Sequence, residues 1–71
     1  MKASLNLHVG KKIKELRKKA ALTQEELAEK TGLDYKYLQK IEGKSPTNLK
    51  LETIEKLAKA LKISPAKLLD F

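Results

Sequence analysis

The chain has 71 residues, no cysteine, and 16 lysine or arginine residues against 9 aspartate or glutamate residues, which gives a formal net charge of +7. This length predicts one domain, residues 1–71, whose core supplies only about 3 to 5 kcal/mol of net stability, so a second copy would help to stabilise it. The absence of cysteine excludes a disulfide framework and a thiolate zinc site. The positive charge favours a polyanionic partner such as nucleic acid or an anionic membrane, although a surface rich in lysine and glutamate is also typical of heat-adapted proteins.

The chain begins with MKASLNLHVGKK, which lacks the continuous apolar segment of a signal peptide. No apolar stretch is long enough to cross a membrane. We therefore expect a soluble cytoplasmic protein. Glycine and proline are few, and we expect them to act only at turns and helix ends.

Hydrophobic periodicity predicts a first helix at about residues 6–19 with a basic outer face. Its inner stripe comprises Val9, Ile13, Leu16 and Ala20. A second helix begins after Thr23, because the Thr23 hydroxyl can accept from the amide of Glu26 while the Glu26 side chain reaches back to the cap. Its inner side is lined by Leu27, Ala28 and Thr31, and Gly32 ends it in the left-handed conformation.

Asp34 can cap a third helix, which Gly43 ends and whose inner stripe is formed by Leu38 and Ile41. The segment GKSPTNLK is rich in turn formers and predicts a loop. Ser64 and Pro65 supply the cap and first residue of a short last helix carrying Leu68 and Leu69. Between the loop and that helix, a fourth helix has the inner residues Leu51, Ile54, Leu57, Ala58 and Leu61. Five helices account for nearly the whole chain, which predicts an all-α fold.

The two short helices joined at Gly32 form a helix-turn-helix at about residues 23–42, a geometry that can lay its second helix in the major groove of DNA. That helix has a polar outer side, as the groove requires. Tyr35 and Tyr37 point about 160 degrees apart, so at most one of them faces the groove, and we expect it to be Tyr35. The side chains able to meet base edges or phosphates are Tyr35, Lys36, Gln39 and Lys40.

The run LTQEELAEKTGLDYKYLQKIEGK resembles the phage-repressor-type helix-turn-helix family, which includes lambda repressor, Cro and XRE-like regulators. The resemblance covers most of the chain and implies a five-helix, lambda-repressor-like DNA-binding domain. Gln24 opens the second helix, as in the family. The remaining matching positions form the core of the motif: Leu27, Ala28, Gly32, Leu38 and Ile41.

The resemblance also implies roles for individual residues. Tyr35 and Lys36 would be the leading base readers, with Lys40 one turn further along. Arg17 would pair with Glu42 in a partly buried salt bridge that links the first and third helices. Contacts to DNA phosphates are expected from Thr23, Gln24, Lys44, Ser45, Thr47 and Asn48. Of these, the last three are turn formers in any protein, which is an equally good explanation for them.

These features together predict a sequence-specific, double-stranded-DNA-binding transcriptional regulator, a repressor that binds an inverted-repeat operator as a homodimer. The dimer would use the C-terminal half, where several apolar residues exceed what a small core needs: Leu49, Ile63, Leu69 and Phe71. The alternatives are an antitoxin or another protein-interaction module, and a restriction–modification controller.

Catalysis and metal binding are not expected. His8 is the only histidine, so it has neither a second histidine nor a cysteine with which to hold a metal ion. Glu25 and Glu26 are adjacent on a helix, point in different directions and already have an explanation as capping residues. We expect no enzyme activity, no cofactor, no small-molecule ligand and no membrane contact.

Overall fold

The structure is a computed structural model that describes residues 2–43 and 49–70, and for residues 2–4 the backbone alone. The predicted roles of Lys44, Ser45, Thr47, Asn48 and Phe71 therefore fall outside the described residues. Within these ranges the chain contains no strand, which confirms the all-α prediction. It forms five helices: α1 (Lys2–Lys19), α2 (Gln24–Thr31), α3 (Tyr35–Glu42), α4 (Leu51–Ala60) and α5 (Pro65–Leu68).

Helix α1 ends at Lys19 as predicted, but its start and its inner stripe differ from the prediction. It begins at Lys2, four residues before the predicted start at residue 6 (6 − 2 = 4). Ala20 was wrongly assigned to the inner stripe, because α1 ends at Lys19 and Ala20 is exposed. The chain turns away immediately afterwards, at Ala21, whose φ of 60° is left-handed. The buried stripe instead continues from Ile13 to Arg17, one helical turn further along.

Helices α2 and α3 are bounded by the predicted capping residues. The Thr23 hydroxyl accepts from the Glu26 amide at 3.0 Å, and the Thr23 amide donates to Glu26 Oε1 at 2.8 Å, so both halves of the capping box are present. Gly32 ends α2 with a φ of 76°, a conformation that a side chain would strain. Asp34 accepts from the Lys36 amide at 3.4 Å. The turn between the helices is therefore defined by local contacts.

Thr31 shows how a polar residue can stand on the inner side of α2. It is half-buried, and its hydroxyl donates to a carbonyl of the preceding turn, with Leu27 O at 2.9 Å and Ala28 O at 3.1 Å. The same oxygen accepts from the Leu33 amide at 3.2 Å. Because the hydroxyl is satisfied in this way, its partial burial carries little penalty.

The core draws on all five helices. Six of its large side chains are almost entirely removed from solvent, each burial contributing about 1.5 to 3 kcal/mol relative to an exposed position. The buried apolar residues are Val9, Ile13, Leu27, Ala28, Leu38, Ile41, Ile54, Leu57, Ala58 and Leu68. Apart from the turn residue Gly32, the predicted core of the helix-turn-helix motif lies within this cluster.

Helix α4 presents a slightly different inner face from the predicted one. Leu51 was wrongly assigned to the core, because it is 77% exposed, whereas Thr53 is buried. Leu61 is half-buried and packs at the edge of the core. Leu51 is the first residue of the helix, and side chains on a helix tilt toward its N-terminus. Its side chain therefore projects beyond the end of the buried face.

Gly10 corrects the expectation that glycine would act only at turns and helix ends. It is a buried residue in the middle of α1, where glycine is otherwise unfavourable. A Cβ atom added to Gly10 would collide with the carbonyl oxygen of Ile41, which belongs to α3. The absence of a side chain at this position therefore allows the backbones of α1 and α3 to touch, and this contact sets the position of α3.

Candidate nucleic-acid interface

Helix α3 has two sharply different sides. Leu38 and Ile41 are completely buried, which fixes the helix against the core. Tyr35 is 39% exposed, whereas Tyr37 is half-buried and packs against the core, so of the two only Tyr35 lies on the outer side of the helix. The exposed side carries all four predicted base readers: Tyr35, Lys36, Gln39 and Lys40.

The C-terminal end of α3 is held by Arg17 of α1. Arg17 Nε donates to Glu42 Oε2 at 2.9 Å, and Nη2 donates to Glu42 Oε1 at 3.0 Å, so the ion pair is bidentate. Arg17 Nη1 donates to the carbonyl of Leu22 at 2.7 Å. The exposed fractions of the two side chains are 10% and 2%, which removes the pair almost entirely from solvent. The geometry requires a planar guanidinium, which lysine does not offer.

Gln24 takes part in the same network, a contact that the sequence did not indicate. Its Nε2 donates to Glu42 Oε1 at 3.1 Å, and its side chain is half-buried. A side-chain amide nitrogen carries two N–H groups, so this bond leaves one donor for another acceptor. The two residues are 18 positions apart on different helices, and no local pattern could have linked them.

An acidic groove of about 660 Å³ borders the exposed side of α3 near the turn. Tyr35 forms part of its wall. The groove is also lined by four carboxylate side chains, those of Glu25, Glu26, Glu29 and Asp34. Carboxylates repel phosphates, so this groove is unfavourable for a DNA backbone, and Thr23, which also lines it, is poorly placed for its predicted phosphate contact. The positive charge on the exposed side of α3 comes from Lys36 and Lys40, neither of which lines this groove.

The predicted dimer residues do not share one environment. Leu49 and Ile63 are half-buried and pack against the core, whereas Leu69 is 44% exposed. Sequence reasoning missed two other apolar residues that face solvent, Leu51 at 77% and Leu5 at 55% exposure. Periodicity identified the apolar side of α4 but not where along the helix its burial begins.

Across residues 2–43 and 49–70, no group of three or more histidine, cysteine, aspartate or glutamate side chains is arranged to hold a metal ion. None of the helices in this part of the chain combines the length and the apolar character needed to span a bilayer.

Two named proteins are similar in sequence over most of this chain. The control protein C.BamHI of Bacillus amyloliquefaciens is 38% identical over 72 residues, which covers 100% of this chain and 88% of that protein. The HTH-type transcriptional regulator SinR of Bacillus subtilis (strain 168) is 39% identical over 62 residues, which covers 87% of this chain. This chain spans only 56% of the length of SinR.

Solved structures show the same likeness. The restriction-modification controller protein C.AhdI from Aeromonas hydrophila superposes with a TM-score of 0.83 and 40% identity, covering 89% of this chain and 94% of its own. SinR in complex with DNA, described as the master regulator for biofilm formation, superposes with a TM-score of 0.83 and 39% identity, covering 87% of this chain and 98% of its own. The helix-turn-helix family matches residues 13–68. This chain therefore belongs to the helix-turn-helix family, as its resemblance to XRE-like regulators predicted.

Proposed function

We propose that this chain is a sequence-specific, double-stranded-DNA-binding transcriptional regulator and that α3 is its recognition helix. The observation that carries the proposal is the division of α3 between fully buried Leu38 and Ile41 and an exposed polar side. A helix anchored in this way can enter the major groove without giving up its packing against the core. The likeness to SinR in complex with DNA, at 39% identity, supports the proposal.

Base reading would depend on lysine and amide groups rather than on arginine. Arg17 is the only arginine of the chain, and its guanidinium is engaged with Glu42 and Leu22. The ammonium groups of Lys36 and Lys40 would approach the O6 and N7 acceptors of guanine, and the amide of Gln39 could bind adenine at two points. Tyr35 would contribute an aromatic edge and a hydroxyl.

Phosphate contacts would place α3 along the duplex. Gln24 retains one N–H group for a phosphate oxygen, while its bond to Glu42 fixes the side chain in one orientation. Thr23 is exposed next to it, although its hydroxyl already serves the cap. The phosphate contacts expected from the loop residues Lys44, Ser45, Thr47 and Asn48 stay predictions.

We further propose that the protein acts in the cytoplasm as a homodimer on an inverted-repeat operator. Two copies would present their recognition helices about one DNA turn apart, ~34 to 36 Å. The exposure of Leu51 and Leu69 supports a dimer surface in the C-terminal half, with smaller contributions from Leu49 and Ile63, which are already packed against the core. The contribution of Phe71 and the assignment of residues 1–71 to one domain stay predictions.

A restriction–modification controller is the second candidate, because C.BamHI is named a control protein and C.AhdI a restriction-modification controller. Both functions use the same DNA-binding surface and require no catalytic group. Neighbouring genes distinguish them: a methyltransferase gene and an endonuclease gene beside this one would indicate a controller, whereas a toxin gene would indicate an antitoxin.

Selection from random-sequence duplexes tests the main proposal, with the bound fraction sequenced after binding at about 50 and about 200 mM salt. With about 6 to 10 phosphate contacts, the association constant should fall by ~10³ to 10⁵ over this range. We expect an enriched palindrome at both concentrations. Binding that disappears at the higher salt without any enriched sequence would contradict sequence-specific recognition.

Two variants separate base reading from phosphate contact. Lys36→Ala should relax the preference at one operator position, at a cost of about 1 to 3 kcal/mol on the preferred sequence. Gln24→Ala should weaken binding to all sequences alike. Lys14→Ala, which removes the same charge from an exposed position on α1, is the matched control. Uniform losses on every sequence for both Lys36→Ala and Gln24→Ala would contradict this division of roles.

A further inference from the structure

A second groove, of about 440 Å³, lies between the C-terminal parts of α2 and α4. Four of its six lining residues are lysines, and no described carboxylate lines it. The groove is lined by Lys30, Thr31, Lys56, Lys59, Ala60 and Lys62. This surface is therefore concave and strongly cationic, in contrast to the acidic groove beside the turn.

The four lysines have no carboxylate within ion-pair distance in the described part of the chain. Within residues 2–43 and 49–70, none of them takes part in a hydrogen bond or ion pair through its side chain. Glu52 and Glu55 stand one helical turn before Lys56 and Lys59, a spacing that often produces ion pairs, yet no such pair forms. The four ammonium groups carry like charge, so an anion bound between them would lower their mutual repulsion.

Helix stability explains only part of this cluster. Lys30 and Lys59 belong to the last turns of α2 and α4, where a positive charge interacts favourably with the helix dipole. Lys62 lies beyond α4 with a left-handed φ of 60°, and the amide of the next residue, Ile63, donates back to Ala58 O at 3.0 Å. Glycine is the usual residue in this type of helix end. A lysine here accepts backbone strain and adds an ammonium group to the groove.

We propose that this groove is a binding site for a compact polyphosphate, meaning a ligand with several phosphate groups in a row. The lysines come from α2, from α4 and from the segment after α4, and they line one open concavity. No aromatic ring is among the described lining residues, so the groove offers no platform for stacking a base. The Thr31 hydroxyl is already used within α2. Recognition would therefore depend on phosphate charge, and the proposal replaces our expectation that no small-molecule ligand binds.

The site is separate from the proposed DNA surface. Gln24 and Lys30 occupy opposite ends of α2, an eight-residue helix, and are therefore roughly 10 Å apart along its axis. None of the outward residues of α3 lines the groove. The proposal goes beyond DNA recognition and does not depend on it, and occupancy of the groove leaves α3 accessible.

Nuclear magnetic resonance tests the proposal through a titration of the 15N-labelled protein with inorganic tripolyphosphate. We expect saturable amide shifts at residues 30–31 and 56–63. The variant K56Q/K59Q/K62Q should raise the dissociation constant by about tenfold or more, because three charge-assisted contacts are lost. The matched control K11Q/K14Q/K18Q removes the same charge from exposed positions on α1 and should change the constant by less than about threefold. Spectra without ligand establish that each variant is folded, and the wild-type shifts locate the site independently of any variant.

Two further titrations identify the ligand. A nucleoside triphosphate that binds as tightly as tripolyphosphate would assign recognition to the phosphate chain alone, and tighter binding would add a contribution from the nucleoside; both results support the site. Three results would overturn the proposal. The amide shifts could concentrate on α3, or the groove variant and the control variant could lose equal affinity for tripolyphosphate. A non-operator duplex could also displace tripolyphosphate from the groove at a lower concentration than that of tripolyphosphate itself. The last result would assign the groove to a second DNA segment.

Discussion

The first three helices and the last two are held together by different kinds of contact. In the first region, Gly10 lets the backbone of α1 touch α3, Arg17 joins α1 to Glu42, and a complete capping box begins α2. In the second region, the capping positions of α4 and α5 make no side-chain hydrogen bond, and both Leu51 and Leu69 face solvent. The first region is held by polar and backbone contacts between its helices, whereas the second lacks side-chain caps at its helix starts and exposes two leucines; in the first region the exposed leucine is Leu5, near the start of α1.

Under the proposed function, this difference would assign DNA reading to the first region and assembly to the second. A helix that reads DNA must be held in one position, because a small displacement misplaces every side chain on it. A surface that receives a second copy instead requires apolar side chains that the monomer leaves exposed. Substitutions in the first region should therefore lower the free energy of unfolding, and substitutions at the exposed leucines should lower the affinity between copies.

The largest effect is expected from Glu42→Ala, which leaves the Arg17 guanidinium buried without its carboxylate. We expect the free energy of unfolding to fall by about 3 to 5 kcal/mol, measured by urea denaturation. Glu29→Ala removes an exposed carboxylate from α2 and should change the value by less than about 0.5 kcal/mol. If Glu42→Ala and Glu29→Ala lower the free energy of unfolding by similar amounts, the buried ion pair does not stabilise the first region.

Gly10→Ala gives the next largest effect, and its sign is informative. Helix propensity alone predicts stabilisation by up to about 1 kcal/mol, because alanine is a better helix former than glycine. The contact with the Ile41 carbonyl predicts a loss of about 1 to 3 kcal/mol, since backbone must move to admit the methyl group. The melting temperature of Gly10→Ala decides between these two predictions, and Lys14→Ala on the exposed side of α1 is the control. A rise in melting temperature for Gly10→Ala would contradict the close approach of α1 and α3.

Gly32→Ala should cost about 1 kcal/mol, less than the change at Gly10. Outside Gly32 and its two chain neighbours, no described atom lies within 4 Å of the position that the new Cβ would occupy, so the cost comes from the left-handed φ of 76°. Gly32→Asn should be milder, because asparagine tolerates this conformation better. Chemical denaturation of both variants measures the difference. Equal losses for alanine and asparagine would point to a cause other than the backbone angle.

The smallest effect on the monomer, with a marked effect on assembly, is expected from Leu51→Ser. At 77% exposure, Leu51 contributes little to the core, so the free energy of unfolding at low protein concentration should change by less than about 0.5 kcal/mol. The dimer dissociation constant should rise about tenfold, as measured by sedimentation equilibrium. Leu5→Ser, on the 55% exposed side chain at the start of α1, is the matched control. If the control weakens the dimer and Leu51→Ser does not, the interface lies in the first region.

The features that the sequence predicted correctly depend on neighbouring residues. The capping box spans four positions, the left-handed turn depends on Gly32 alone, and Pro65 sets the start of α5. Such contacts leave a local pattern that physical rules can recognise. The two sides of α3 were predictable for the same reason, because periodicity along one helix assigns inward and outward positions.

The features that the sequence did not predict join distant residues. Gly10 and Ile41 are 31 positions apart (41 − 10 = 31), and the bond from Gln24 to Glu42 spans 18. The pair of Arg17 and Glu42 was reached only through the family resemblance, since nothing local connects them. Leu51 shows a further limit: periodicity gives the direction of a side chain but not whether another helix covers it.

The three hydrogen bonds of Arg17 have a consequence for motion within the fold. Its guanidinium ties α1, the carbonyl of Leu22 and the last residue of α3 together, so α3 cannot open without stranding a buried cation. An eight-residue helix has little stability of its own in water. The amide hydrogens of α3 should therefore exchange with solvent only when α1, α2 and α3 open as one cooperative unit. The backbone of α3 is therefore preorganised, so a binding partner would have to order only its exposed side chains.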